Sequence, residues 1–272
     1  MTAVSPPEPS RSDSHSAAPQ HRLAARTSSQ RPKLLVSVRS AAEAQLALAG
    51  GADILDVKEP SLGSLGMASY EEISHIGALL EAAADEIPLS VALGEVNDWN
   101  QRADYPALPT NVTFAKLGLA NCAHHGGWCE NWLRIRSRFE EAARKPIDWV
   151  GVAYADADEA AAPPVVEVVA AAVATKCAGL LIDTWTKNGL TLLDKLGVDR
   201  LNEIASACHS HGLFLAIAGR VQLDCLAALA QVSADVIAIR SAACQSNNRS
   251  MQLEASRVEV FKAVMHRSFA GR

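Results

Sequence analysis

The chain has 272 residues, 49% hydrophobic and 20% charged, with 16 Gly and 12 Pro, enough apolar material for a sizeable core and too much for disorder throughout. Its 25 Lys and Arg stand against 30 Asp and Glu, net −5, which supplies no basic field for a nucleic-acid backbone or an anionic membrane. Six Cys without a Cys-x-x-Cys pair, and no apolar leader, predict reduced thiols and a cytoplasmic location. No apolar run reaches the roughly 18 residues of a spanning helix.

Residues 1–32 hold seven Ser, five Pro and four Arg and no periodic apolar face, so they are expected to form a flexible extension preceding one catalytic domain over residues 33–272. Five prolines argue against an amphipathic targeting helix there.

After Pro32 short β-branched or Leu-rich runs alternate with Ala-rich helical stretches. Strands are predicted at 34–38, 54–58, 89–93, 114–119, 148–153, 179–183, 214–218 and 236–240. The runs are continuous rather than alternating, as buried parallel strands require. Helices are predicted at 41–49, 70–84, 132–144, 164–175, 199–211, 223–231 and 253–265, with Ser40 and Asp199 as caps. Residues 94–113 are expected to be irregular. Eight βα units without GxGxxG or a P-loop favour an α/β fold closed as a (β/α)8 TIM barrel over an open doubly wound sheet, and place functional residues at the carboxyl ends of the strands.

Polar residues at those ends stand out against the apolar runs. Asp56 and Lys58 share one face of the second strand, where they are either a same-strand ion pair or working groups. Lys116 lies inside the otherwise apolar run FAKLGL, a costly position unless it faces the barrel mouth. Asp183 ends the sixth strand, and Lys187 follows in the loop. Three lysines and two aspartates thus converge, and crowded ammonium groups favour a neutral amine able to attack a carbonyl, the requirement for a Schiff base. The carboxylates can hold the remaining charges or move protons. The seventh and eighth strands end in Gly219-Arg220 and Arg240-Ser241, suited to a phosphate; the bland alternative is that both arginines make salt bridges with neighbouring helices. The loop 60–66, with two Gly, either turns tightly or offers amides to a phosphate. Cys122, His124, His125 and Cys129 have no familiar zinc spacing, so no metal is expected.

At DVKEPSLGSLG, AKLGL, YAD (Tyr154 to Asp156), IDTWTKNG and IRSAAC, in matching order from about Leu34 to the last helix, the sequence resembles the (5-formylfuran-3-yl)methyl phosphate synthase family of methanofuran biosynthesis. The resemblance implies a lyase that condenses two glyceraldehyde 3-phosphate molecules with loss of one phosphate and water. It also implies Lys58 as the Schiff-base residue, Lys116 as the proton acceptor, and Asp56, Asp183 and Lys187 as supporting groups. No cofactor is implied, and the expected partner is the small phosphosugar alone, with homo-oligomerisation left open. Ser241 departs from the family, where Gly is expected. Two other readings remain: another class I phosphosugar aldolase or isomerase, separated by its need for dihydroxyacetone phosphate, and a non-catalytic phosphometabolite-binding barrel, in which three converging lysines have no purpose.

Overall fold

The computed structural model describes residues 31–83, 86–123, 126–186 and 189–270. The serine- and proline-rich stretch 1–30, with His124, His125 and Lys187, lies outside them. Eight strands, β1 (Lys33–Val38), β2 (Ile54–Val57), β3 (Leu89–Glu95), β4 (Val112–Gly118), β5 (Asp148–Tyr154), β6 (Gly179–Asp183), β7 (Phe214–Ile217) and β8 (Val236–Ile239), form a closed barrel in chain order. Every pairing between neighbours is parallel, including β8 back to β1. The helices are α1 (Ala41–Ala49), α2 (Tyr70–Ala82), α3 (Trp128–Ala143), α4 (Val165–Ala174), α5 (Leu192–Ser210), α6 (Leu226–Leu229) and α7 (Ala255–Ser268). The connection from β3 to β4 has one 3-10 turn, Val96–Trp99, and is otherwise irregular, as its Pro and Asn content predicts. No helix among the described residues is long and apolar enough to cross a membrane.

The continuous apolar runs have a direct cause. Alternate residues of each strand feed two separate cores. Val36, Val57, Val91 and Leu215 pack outward beneath the helices, whereas Leu35, Ile54, Phe114, Val150, Leu181, Phe214 and Val236 fill the barrel. Phe114 and Phe214 meet edge to face, centroids 5.5 Å apart, and a Cβ on Gly179 would sit 2.5 Å from the Phe214 ring. These rings floor the space under the polar residues of the barrel top.

Three helices depart most from expectation. α3 begins at Trp128 rather than 132, on the left-handed Gly127 (φ +84°). α5 begins at Leu192, where Thr191 and Asp194 make a reciprocal capping box. Gly197 (φ +69°) then kinks it, so Asp199 opens only the second half and is not the cap. The predicted helix 223–231 is a 3-10 turn, Leu223–Cys225, followed by the single turn α6.

Candidate active site

On β2 the inward face is Ile54, then Asp56, then Lys58. Asp56 is in register with Ser37 on β1 and Ser90 on β3. Its Oδ1 lies 2.5 Å from Lys116 Nζ, and its Oδ2 accepts the Ser37 hydroxyl at 3.2 Å. Asp56 and Lys116 are each only 3% exposed. The carboxylate of β2 therefore pairs across the barrel with β4, not with Lys58 on its own strand. This answers the expense of a lysine in an apolar strand: it is buried as half of a neutral, hydrogen-bonded pair. Lys58 follows the last residue of β2, and its backbone N–H extends the pairing to Val38 O (3.0 Å). Its side chain is half-buried.

A cavity of about 340 Å³ opens at the carboxyl ends of β1, β2, β6, β7 and β8. Beneath it a space of about 30 Å³ descends to Lys116, Asp56, Ser64 and Ser90, floored by Phe114 and Phe214. Ser37, Lys58 and Asp183 line both, so they stand where the open mouth meets the closed interior. Asp183 is 3% exposed, and its Oδ1 accepts the Thr184 amide at 2.8 Å. The structure thus brings together Asp56, Lys58, Lys116 and Asp183; Lys187 lies outside the described residues.

The loop that leads to Lys187 is held from two sides. Asp156, after β5, accepts the amides of Trp185 (2.6 Å) and Thr186 (2.8 Å) and the Thr186 hydroxyl (2.6 Å). Desolvation would raise the Asp156 pKa, but these hydrogen bonds outweigh it and hold the carboxyl below its ordinary value. From the other side Ser64 donates to Thr184 O at 2.9 Å. The loop 60–66 makes a tight turn that closes on itself through Glu59 N to Gly66 O (2.8 Å), and its inner serine braces the loop after β6.

At the ends of β7 and β8, Gly219 (φ +91°), Arg220 (φ +57°) and Ser241 line the cavity as expected. Left-handed backbone at the non-glycine Arg220 is uncommon and concentrates at functional turns. Gln222 Nε2 donates to Ser241 Oγ at 3.2 Å. Arg240 requires a correction as a phosphate ligand. Nη1 and Nη2 grip the Glu43 carboxylate of α1, with Nη2 at 3.0 Å. Its remaining donors go to the carbonyls of Ser37 (3.1 Å), Arg249 (3.0 Å) and Met251 (3.4 Å). All five N–H groups are used, and the salt bridge to a neighbouring helix is the reading the structure bears out.

Two groups escaped the sequence reading. Glu95, at the end of β3, accepts Ala120 N (2.8 Å) and the Tyr154 hydroxyl (2.7 Å); any Cβ on Gly118 would collide with this carboxylate. Burial raises the pKa of Glu95 and lifts that of Tyr154 well above the ordinary phenol value. The second is Arg249, a cation in the cavity wall.

A sequence model of the 4-HFC-P synthase family matches residues 34–262. The chain belongs to this family. Within it, the chain is 30% identical over 220 residues to the (5-formylfuran-3-yl)methyl phosphate synthase of Methanococcus maripaludis, covering 80% of this chain and 92% of that protein. It is 32% identical over 222 residues to the synthase of the same name from Methanothermobacter thermautotrophicus, covering 80% and 91%. The family is one of enzymes named as synthases, and the matches span at least nine-tenths of both relatives. Among solved structures, tryptophan synthase subunit alpha from Legionella pneumophila superposes with a TM-score of 0.58 at 9% identity, over 89% of this chain and 94% of that one. That likeness concerns the fold alone.

Proposed function

We propose that this synthase-family enzyme is a carbon-oxygen lyase that condenses two glyceraldehyde 3-phosphate molecules to (5-formylfuran-3-yl)methyl phosphate through an imine on Lys58. The observation that carries the reading is the place of Lys58: alone among the described lysines it lines both the substrate-sized cavity and the inner space that ends at Lys116. A carbonyl entering from the mouth meets Lys58 first. Once the imine forms, the C–H bond next to it is acidified and lies towards the buried pair. Asp56 Oδ1, 2.5 Å from Nζ, first takes a proton from the Lys116 ammonium, and the amine so freed takes the proton of the C–H bond, so that the pair rather than the lysine alone is the base. Asp183, which lines the same junction, is assigned the dehydrations. The retained phosphate is assigned to Gly219, Arg220 and Ser241 on the β7 and β8 loops.

Borohydride reduction in the presence of glyceraldehyde 3-phosphate tests the reading. A mass increment on the peptide containing Lys58, absent in Lys58→Arg, is expected. An adduct on Lys116 or Lys187 with Lys58 unmodified moves the nucleophile to that strand, and product formation only with added dihydroxyacetone phosphate makes the enzyme an aldolase.

A further inference from the structure

Arg249 sits ten residues beyond the last strand pairing at Ile239, on a loop closed at its base by a bridge between Cys244 and Leu253 and by Gln245 N to Gln252 O (3.0 Å). Arg240 props this loop from below through the carbonyls of Arg249 and Met251. The Arg249 guanidinium is therefore placed, not adrift. Its Nη2 donates to Pro60 O (2.9 Å) and Gly63 O (2.7 Å), which ties the loop after β8 to the loop that follows Lys58. Its Nε and Nη1 make no hydrogen bond among the described residues, and the side chain lines the cavity. A guanidinium with one nitrogen committed to the protein still has three N–H groups, enough for a two-pronged contact to a phosphate.

The cavity has a second cationic flank. Gly219 packs against Thr184 and Leu192, so the Gly219–Arg220 turn lies on the β6 and β7 side, opposite the β2 loop that Arg249 grips. A chain that joins two triose phosphates must accommodate two phosphates at once, of which one remains and one departs. We propose that Arg249 is a catalytic residue that binds the departing phosphate on the β2 side, while the β7 and β8 turns keep the other. This assignment rests on the condensation reading above. In the step, a proton is taken from the carbon next to the imine, the electron pair of that C–H bond forms a C=C bond, and the C–O bond to phosphate breaks with its electrons leaving on oxygen. Arg249 stabilises the charge on the leaving oxygens; no oxidant or reductant is consumed. Burial lowers the Arg249 pKa, yet Asp183 and Glu59 act in the opposite direction, and an arginine so placed remains a cation.

The test is Arg249→Gln, read by single-turnover release of inorganic phosphate from glyceraldehyde 3-phosphate beside borohydride trapping. The expected result is release slowed at least tenfold with the Lys58 adduct still formed, and a matching loss of affinity for inorganic phosphate in calorimetry. Because Arg249 also holds the β2 loop, Glu59→Ala is the companion: it removes the Arg39 ion pair and the Ser61 contacts of the same loop without touching the cavity. Unchanged release in Arg249→Gln, or an equal slowing in Glu59→Ala, overturns the assignment. Should the wild-type enzyme make no furan product from glyceraldehyde 3-phosphate, the condensation reading fails separately. Phosphate calorimetry then decides on Arg249 as an anion ligand: undiminished affinity in Arg249→Gln removes it.

Discussion

Lys116 Nζ and Asp56 Oδ1 lie 2.5 Å apart inside the barrel, from strands that are not neighbours. Breaking a buried pair leaves one charge uncompensated, which costs about 3–5 kcal/mol, whereas replacing both partners with apolar groups of similar volume is often neutral or stabilising. Asp56→Asn is therefore expected to lower stability by about that amount. Asp56→Leu combined with Lys116→Met recovers most of it while turnover stays abolished. Urea unfolding and turnover on the same samples separate the two effects; a double variant as unstable as the single one would show that the pair contributes net stability.

Among the described residues, Arg240 and Glu43 make a second buried pair at the barrel top, joining β8 to α1. Because every Arg240 donor is occupied, Arg240→Ala is expected to act through stability, again by about 3–5 kcal/mol, and by loosening the loop that carries Arg249. Borohydride trapping on Lys58 should fall alike for glyceraldehyde 3-phosphate and for phosphate-free glyceraldehyde as the barrel top slackens, with a lowered melting temperature in the absence of substrate. A loss confined to phosphorylated substrate, with melting unchanged, would return Arg240 to phosphate binding.

The barrel was legible because strands buried on both faces cannot hide their apolar runs, and all eight fall within two residues of their predicted ends. Asp56, Lys58, Lys116 and Asp183 were legible for the complementary reason: a charge in such a run has to be paired or used. Arg249 was not, since CQSNNRS reads as an ordinary polar loop, and only the closed fold carries it to carbonyls 186 and 189 residues away. Glu95 was lost inside the segment expected to be irregular. The commitment of Arg240 to Glu43 depends on how α1 packs, which local pattern does not encode. The start of α5 was readable in principle, from Thr191 and Asp194 at capping-box spacing.

Glu95 supplies a pH-dependent contribution whose sign is fixed by its environment. Desolvation raises its pKa above the ordinary 4.5, against the hydrogen bonds from Ala120 and Tyr154, with Asp98 and Asp183 adding to the rise. A group whose folded pKa is raised contributes stability that is complete below its unfolded value and is lost as pH rises through the folded one. Glu95→Gln keeps an acceptor for Ala120 N and can donate to the Tyr154 oxygen, so it should flatten this part of the profile. Melting temperatures of both proteins from about pH 4.5 to about pH 7 are expected to show the wild type losing stability relative to the variant as pH rises; parallel curves would mean that Glu95 does not titrate in that window.

The Asp156 clamp predicts the opposite sign and a local effect. The carboxyl is held below its ordinary 3.8 despite desolvation, by the Thr186 hydroxyl and the amides of Trp185 and Thr186. A depressed pKa contributes stability that is present above the unfolded value and is lost as pH falls through the folded one. Protonation removes an acceptor from three donors that share one loop, so the loop should loosen before the barrel does. The protection factors of the Trp185 and Thr186 amides, corrected for the intrinsic slowing of exchange in acid, are expected to fall as pH drops below about 4 while amides of β5 and β6 stay protected. In Asp156→Ala the same two amides should exchange fast at neutral pH. Because this loop leads to Lys187, Asp156→Ala should also cut turnover at least tenfold yet leave borohydride trapping on Lys58 intact. Equal loss of trapping would mean that Asp156 supports the whole mouth of the barrel rather than the loop after β6.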